Sequence, residues 1–161
     1  MDPIVTLRDF RSEDVASMFR VFHDAVIVGS AAHYTAAQRV AWCPFETAPE
    51  SWDTRFTNSC TKLAVDASGR VIGFMNLTND GLIDMAFVLP EMMGRGVAST
   101  LYASIEDHAV SSGLSELRTE ASHLARPFFE RHGWRVINAQ TVDCNGVTLE
   151  NYYMTKRPLG N

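Results

Sequence analysis

A chain of 161 residues is long enough to bury a substantial core and short enough to be one domain, residues 1–161. Hydrophobic residues at 46% and charged residues at 20% exclude a disordered tail. A formal charge of −5 gives no support to nucleic acid as the main partner, although a local basic patch can still hold an anion.

Cys43, Cys60 and Cys144 form no close metal-like pair and make a poor disulfide scaffold, which points to a reduced compartment. The opening MDPIVTLRDF lacks the apolar run of a signal peptide, and no segment approaches the roughly 20 apolar residues that span a bilayer. A cytoplasmic location is therefore expected, with no membrane partner.

In chain order, Ile4 to Leu7 reads as a strand. Ser12 is placed to cap a helix carrying Val15, Phe19, Phe22 and Val26 at helical spacing. Thr35 and Gln38 form a capping-box pattern before a short helix that Pro44 closes. Another helix, from near Pro49, carries Trp52 and Phe56. Lys62 to Asp66, Val71 to Leu77 and Leu82 to Leu89 then read as three strands joined by the turns ASGR and NDG, an antiparallel meander. After Gly94 comes a helix with Val97, Leu101 and Ile105 on one face. Leu114 to Thr119 reads as a strand, and a helix holding Pro127, Phe128 and Phe129 ends at Gly133. Two last strands, near Trp134 to Val142 and Val147 to Thr155, flank the turn CNG. The pattern is α/β, with a mixed, mostly antiparallel central sheet flanked by helices.

The junction MMGRGVAST, Met92 to Thr100, sits between a strand and a helix. The first turn of a helix carries free N–H groups, and small residues let anion oxygens approach them. Arg95 adds a charge. The stretch is neither a Walker loop, since no Lys-Ser or Lys-Thr follows, nor G-x-G-x-x-G, since Ser99 stands where the third glycine belongs. Taken alone, a structural turn and a phosphate cradle fit it equally.

The order of a helix-rich start, a meander, LPEMMGRGVAST, a helix, a strand and ASHLARPFFERHGW resembles the GNAT acyltransferase superfamily over nearly the whole chain. That family binds the pyrophosphate of an acyl-coenzyme A with Q/R-x-x-G-x-G/A. The pattern falls here on Met93-Gly94-Arg95-Gly96-Val97-Ala98, with Met93 departing from the usual Gln or Arg. The resemblance implies acetyl-coenzyme A as donor, held by Met93 to Ser99. Its pantetheine arm would follow the end of the preceding strand at Phe87 and Val88. Ser122 occupies a position near that arm where Asn is common, and Phe129 the position of a tyrosine that many members use as the acid for the departing thiolate. HYTAAQRVAWCP and ENYYMTK further resemble an uncharacterised bacterial branch of the family.

Phe129 cannot donate a proton, so the acid has to come from elsewhere or be dispensed with. Tyr34 and Tyr153 offer hydroxyls, and alternation sends Tyr152 and Tyr153 to opposite faces of their strand. His33, Asp84 and Glu120 are candidate bases or relays. Each has a plain structural alternative: a capping histidine, a solvated strand face, a helix-start charge. Trp42 and Trp52 either wall an acceptor pocket or fill the core. The expected activity is direct N-acetyl transfer to a primary amine, most simply on a small molecule, with no metal. The alternatives are a noncatalytic acyl-coenzyme A-binding regulatory module, or acetylation of a protein or aminoacyl-tRNA amine. Members of the resembled family often form homodimers.

Overall fold

The structure is a computed structural model that describes residues 4–157. Seven strands form one sheet: β1 (Thr6–Asp9), β2 (Cys60–Val65), β3 (Val71–Leu77), β4 (Leu82–Val88), β5 (Leu117–Ala121), β6 (Arg135–Cys144) and β7 (Val147–Lys156). Their order is β1-β2-β3-β4-β5-β7-β6, and every neighbouring pair is antiparallel except β4 with β5. Five α-helices accompany them: α1 (Val15–Asp24), α2 (Ala36–Trp42), α3 (Ser51–Thr57), α4 (Val97–Ser111) and α5 (Arg126–Arg131).

β3 is buried along its whole length because helices cover both faces of the sheet. On one face, Phe19 and Phe22 of α1 meet Trp52 of α3, which in turn packs on Phe74 of β3. On the other, Val97, Leu101 and Ile105 of α4 are buried against β3. Gly73 permits that approach, since a Cβ there would lie 3.2 Å from both the Phe87 carbonyl and Val97 Cγ1. Each such large side chain contributes about 1.5–3 kcal/mol on full burial.

Local details differ from the sequence reading where distant partners intervene. The first strand is Thr6–Asp9 rather than Ile4 to Leu7, because Leu7 and Arg8 pair with Ala64 and Leu63 while Ile4 remains exposed. Ser12 does not cap α1. Asp14 fixes that entry instead, with its buried carboxylate accepting 2.8 Å hydrogen bonds from the Arg11 N–H and from both arms of the Arg8 guanidinium. β5 begins at Leu117, since Leu117 to Ala121 are the residues that find partners in β7, Arg118 and Thr119 among them pairing also with β4. After α1 the chain runs through a π-helical segment, Ala25–Gly29, which the apolar pattern did not reveal. Such a wide turn often accompanies a functional site; here it carries Ser30 inward, with its hydroxyl donating to the Val26 carbonyl at 2.6 Å.

Candidate active site

β4 and β5 run parallel for only two pairs, Leu82 with Arg118 and Ile83 with Thr119, before they separate. Thr119 Oγ1 donates to the Ile83 carbonyl at 2.8 Å at the point of parting. On the other side of β4, Asn76 stands opposite Met85 and Leu77 opposite Ile83, which leaves Asp84 as an extra residue in a β-bulge. Buried Asn76 repairs the interrupted ladder: its Oδ1 accepts the Met85 N–H at 2.9 Å, and its Nδ2 donates to Ser59 Oγ at 3.1 Å. The bulge and the parting open a wedge in the middle of the sheet.

At the end of β4 the chain turns through Pro90–Met92 and enters α4 by way of Gly94 and Gly96, whose φ angles are +74° and +83°. An L side chain rarely adopts that backbone, and a Cβ at either position would meet nothing within 4 Å. The N–H groups from Gly94 to Ser99 have no hydrogen-bond acceptor among the described residues; Thr100, bonded to the Gly96 carbonyl at 3.1 Å, is the first of the helix to find one. These donors rim a cavity of about 270 Å³. β4 contributes Phe87 and Val88 to its wall, and the loop and helix contribute Met93, Gly94, Gly96, Val97, Ala98 and Ser99. Ser122 and Phe129 close the far side, while Arg95 stands exposed and off the wall.

A second cavity of about 570 Å³ lies against Phe22, Trp52, Arg55, Asp84, Glu120 and Asn151. Trp42, Phe87 and Ser122 are the residues common to both linings, so the two spaces meet at the wedge.

The family model for the acetyltransferase (GNAT) domain matches residues 30–156. The chain belongs to the GNAT acetyltransferase family. It is similar to an uncharacterised N-acetyltransferase of Escherichia coli K12, YafP, with 31% identity over 96% of this chain and 97% of that one. A GCN5-related N-acetyltransferase from Rhodopseudomonas palustris is 30% identical, with a TM-score of 0.87 and 98% of both chains covered. PaiA N-acetyltransferase from Thermoplasma acidophilum, in complex with coenzyme A, shares the fold at a TM-score of 0.77 and 17% identity, over 96% of this chain and 99% of that one.

Within this GNAT domain the candidate acid–base residues separate sharply. Asp84 and Glu120 both reach the second cavity. The Asp84 carboxylate is held bidentate by Arg55, with Nε at 2.6 Å and the second arm at 2.7 Å. Burial pushes that carboxyl up, but the Arg55 hydrogen bonds and charge outweigh it, with help from Asn76, and hold it below its ordinary value. A carboxylate paired with a guanidinium and held below its ordinary value is a weak base. Glu120 accepts only a neutral hydrogen bond, from Gln140 Nε2 at 3.2 Å.

Tyr34 lines the second cavity but is fully engaged: its hydroxyl donates to the Glu150 carbonyl at 2.7 Å and accepts the His123 N–H at 3.0 Å. Burial pushes its phenol up, so it is a poor proton donor. His33 is exposed and stacks near His123, with ring centroids 6.3 Å apart; neither His33 nor Tyr153 lines either cavity. Tyr153 stands opposite Glu120 across β5 and β7, further from the wedge.

Sequence reasoning missed Arg55 and Arg131. Arg55 reaches Asp84 from 29 residues away, a pairing no local pattern encodes. Arg131 ends α5 and lines the first cavity, where its charge joins the free amides. The cysteine thiols are free and pushed up by burial, which keeps them protonated and poorly nucleophilic. Among the described residues no helix is long and apolar enough to cross a membrane.

Proposed function

We propose that this GNAT domain transfers the acetyl group of acetyl-coenzyme A directly to a primary amine of a small, cationic molecule. The observation that carries this reading is the meeting of the two cavities at Trp42, Phe87 and Ser122, which lets donor and acceptor reach one point from two sides of the wedge. The first cavity fits the donor. Its rim offers unpaired amides from Gly94 to Ser99 and the Arg131 guanidinium to a pyrophosphate, over two glycines with open space above them. The edge of β4 beyond Ile83 faces no β5 partner, so its backbone groups suit the amides of a pantetheine arm. The coenzyme A held by the PaiA protein of the same fold supports the same choice.

The second cavity suits the acceptor. Its volume of about 570 Å³ lies in the range of small-molecule sites. Phe22, Trp42 and Trp52 give it apolar walls, while Asp84, Glu120, Asp143 and Glu150 outnumber its one basic residue, Arg55. A protonated amine is drawn to that balance. Glu120, a cavity carboxylate on β5 with no cationic partner among the described residues, then accepts the ammonium proton directly or through water. The neutral nitrogen attacks the thioester carbonyl, and free β4 amides are the donors available to the oxyanion. No acyl-enzyme forms. Asp84 and Arg55 keep the bulge in place.

Purified protein incubated with acetyl-coenzyme A and a diverse amine panel is expected to give protein-dependent acetylated products, richest among cationic amines, by mass spectrometry. Glu120→Gln is expected to lower kcat/KM by about 10²-fold or more without changing coenzyme affinity. The absence of a phenol at Phe129 favours one other reading, the noncatalytic acyl-coenzyme A-binding module. Tight coenzyme binding with no product across the panel would establish it instead.

A further inference from the structure

The proposed reaction leaves a thiolate in the wedge, and residue 129, buried at 2% exposure on the cavity wall, carries no hydroxyl to meet it. The hydroxyls on the two cavity walls are those of Ser30, Tyr34, Ser51, Ser99 and Ser122. Ser30 spends its proton on the Val26 carbonyl, and Tyr34 spends its own on the Glu150 carbonyl. Ser99 shares a contact with His132 Nε2 at 3.3 Å, stands in the first turn of α4 and lines only the first cavity. Ser51 begins α3 and lines only the second cavity.

Ser122 differs from all of these. It lies on both linings, beside Trp42 and Phe87, neither of which is placed there as a hydroxyl donor. Its Oγ accepts the Ala125 N–H at 3.1 Å and its carbonyl accepts the Arg126 N–H at 3.0 Å, so the turn fixes where the oxygen stands. The hydroxyl proton has no acceptor among the described residues. It is the hydroxyl left over at the seam.

We infer that Ser122 supplies the hydrogen bond that stabilises the departing coenzyme thiolate, in place of the phenol missing at Phe129. This rests on the acetyl-transfer reading above. The amine nitrogen forms the new bond to the carbonyl carbon, the C–S bond breaks, and its electron pair goes to sulfur. Ser122 donates a hydrogen bond to that sulfur and keeps its own proton, since a serine hydroxyl is far less acidic than a thiol. Nitrogen loses two protons, the ammonium's to Glu120 or water before attack and a second to water after it, and the thiolate takes one proton from water, so one ends on the thiol and one in solution. A hydrogen bond to a charged group is strong enough to shift the thiol equilibrium by about tenfold or more.

The test titrates the thiol of coenzyme A bound to the protein, followed by ultraviolet thiolate absorbance across pH, and needs no acceptor amine. The bound thiol is expected to titrate about one pH unit below free coenzyme A, and Ser122→Ala to lose that shift. Ser122→Asn keeps an acceptor for the Ala125 N–H and an amide donor, and is expected to retain it. A wild-type midpoint at or above that of free coenzyme A overturns the inference, as does a Ser122→Ala midpoint equal to wild type. Should Ser122→Ala lose the coenzyme altogether, Phe129→Tyr in the otherwise unchanged protein decides. With Ser122 already bonded to sulfur, the new phenol shifts the midpoint by less than about threefold, whereas a full tenfold shift overturns the proposal. Failure of every amine to turn over would sink the acetyl-transfer reading and leave this titration readable. An unmoved titration alongside intact turnover would sink only the role of Ser122.

Discussion

Arg55 and Asp84 meet through two hydrogen bonds, 2.6 and 2.7 Å long, and the consequence is a carboxylate that stays charged at low pH. The sign of its stability contribution follows. A carboxyl held below its ordinary value of 3.8 stabilises the fold fully above that pH and ceases to do so as pH falls through the lower, folded value. Removing the guanidinium by Arg55→Ala leaves a carboxylate whose side chain is only 18% exposed without its partner. The stability gap between wild type and Arg55→Ala, measured by urea unfolding, is expected to be full at neutral pH and to close below pH 3.8. A gap that persists undiminished in acid would mean that Arg55 acts through packing rather than through this charge pair.

Among the elements, the turn into α4 is the most exacting. Gly96 caps the helix at φ +83°, and any L residue there carries a left-handed penalty of about 1–2 kcal/mol. Gly96→Ala is expected to lower stability by about that amount, and to weaken coenzyme A by more than tenfold in calorimetry because the amides lose their common direction. Unchanged affinity would detach the loop from the coenzyme. This turn was legible in the sequence because it is local, as was the Thr35–Gln38 capping box, whose bonds measure 3.1 and 2.9 Å. The Asn145–Gly146 hairpin, with φ of 50° and 82°, was legible for the same reason. The β4 bulge was not, because the extra residue is defined only by how Asn76 and Leu77 of a neighbouring strand line up. Nor was the engagement of Tyr34, since its two partners lie 116 and 89 residues away. Ser122 at the seam shows both limits: its place was readable from the motif, and its spare proton only from the surrounding bonds.

At the scale of the whole molecule, the sheet is continuous at both ends and parted in the middle. β6 and β7, ten residues each, pair at nine positions, and β2, β3 and β4 form a tight meander, yet β4 and β5 share only two residue pairs. The arrangement places an unpaired strand edge inside the protein rather than at its rim, where bare edges invite other chains. Hydrogen exchange without ligand is expected to be fast at the amides of residues 94–99, which have no acceptor among the described residues, and at the freed edge of β4. Both segments are expected to become protected when coenzyme A is added. Slow exchange at these amides in the empty protein would mean that they are already satisfied.

On the proposed reading, the wedge also makes the coenzyme a late structural part of its own enzyme. A ligand that binds only the folded chain adds about 2.7 kcal/mol at one hundred times its Kd, a sizeable fraction of the total stability of a typical domain. The surviving population of this protein then becomes a gauge of coenzyme supply: copies made in excess of it spend longer open, and proteases remove them first.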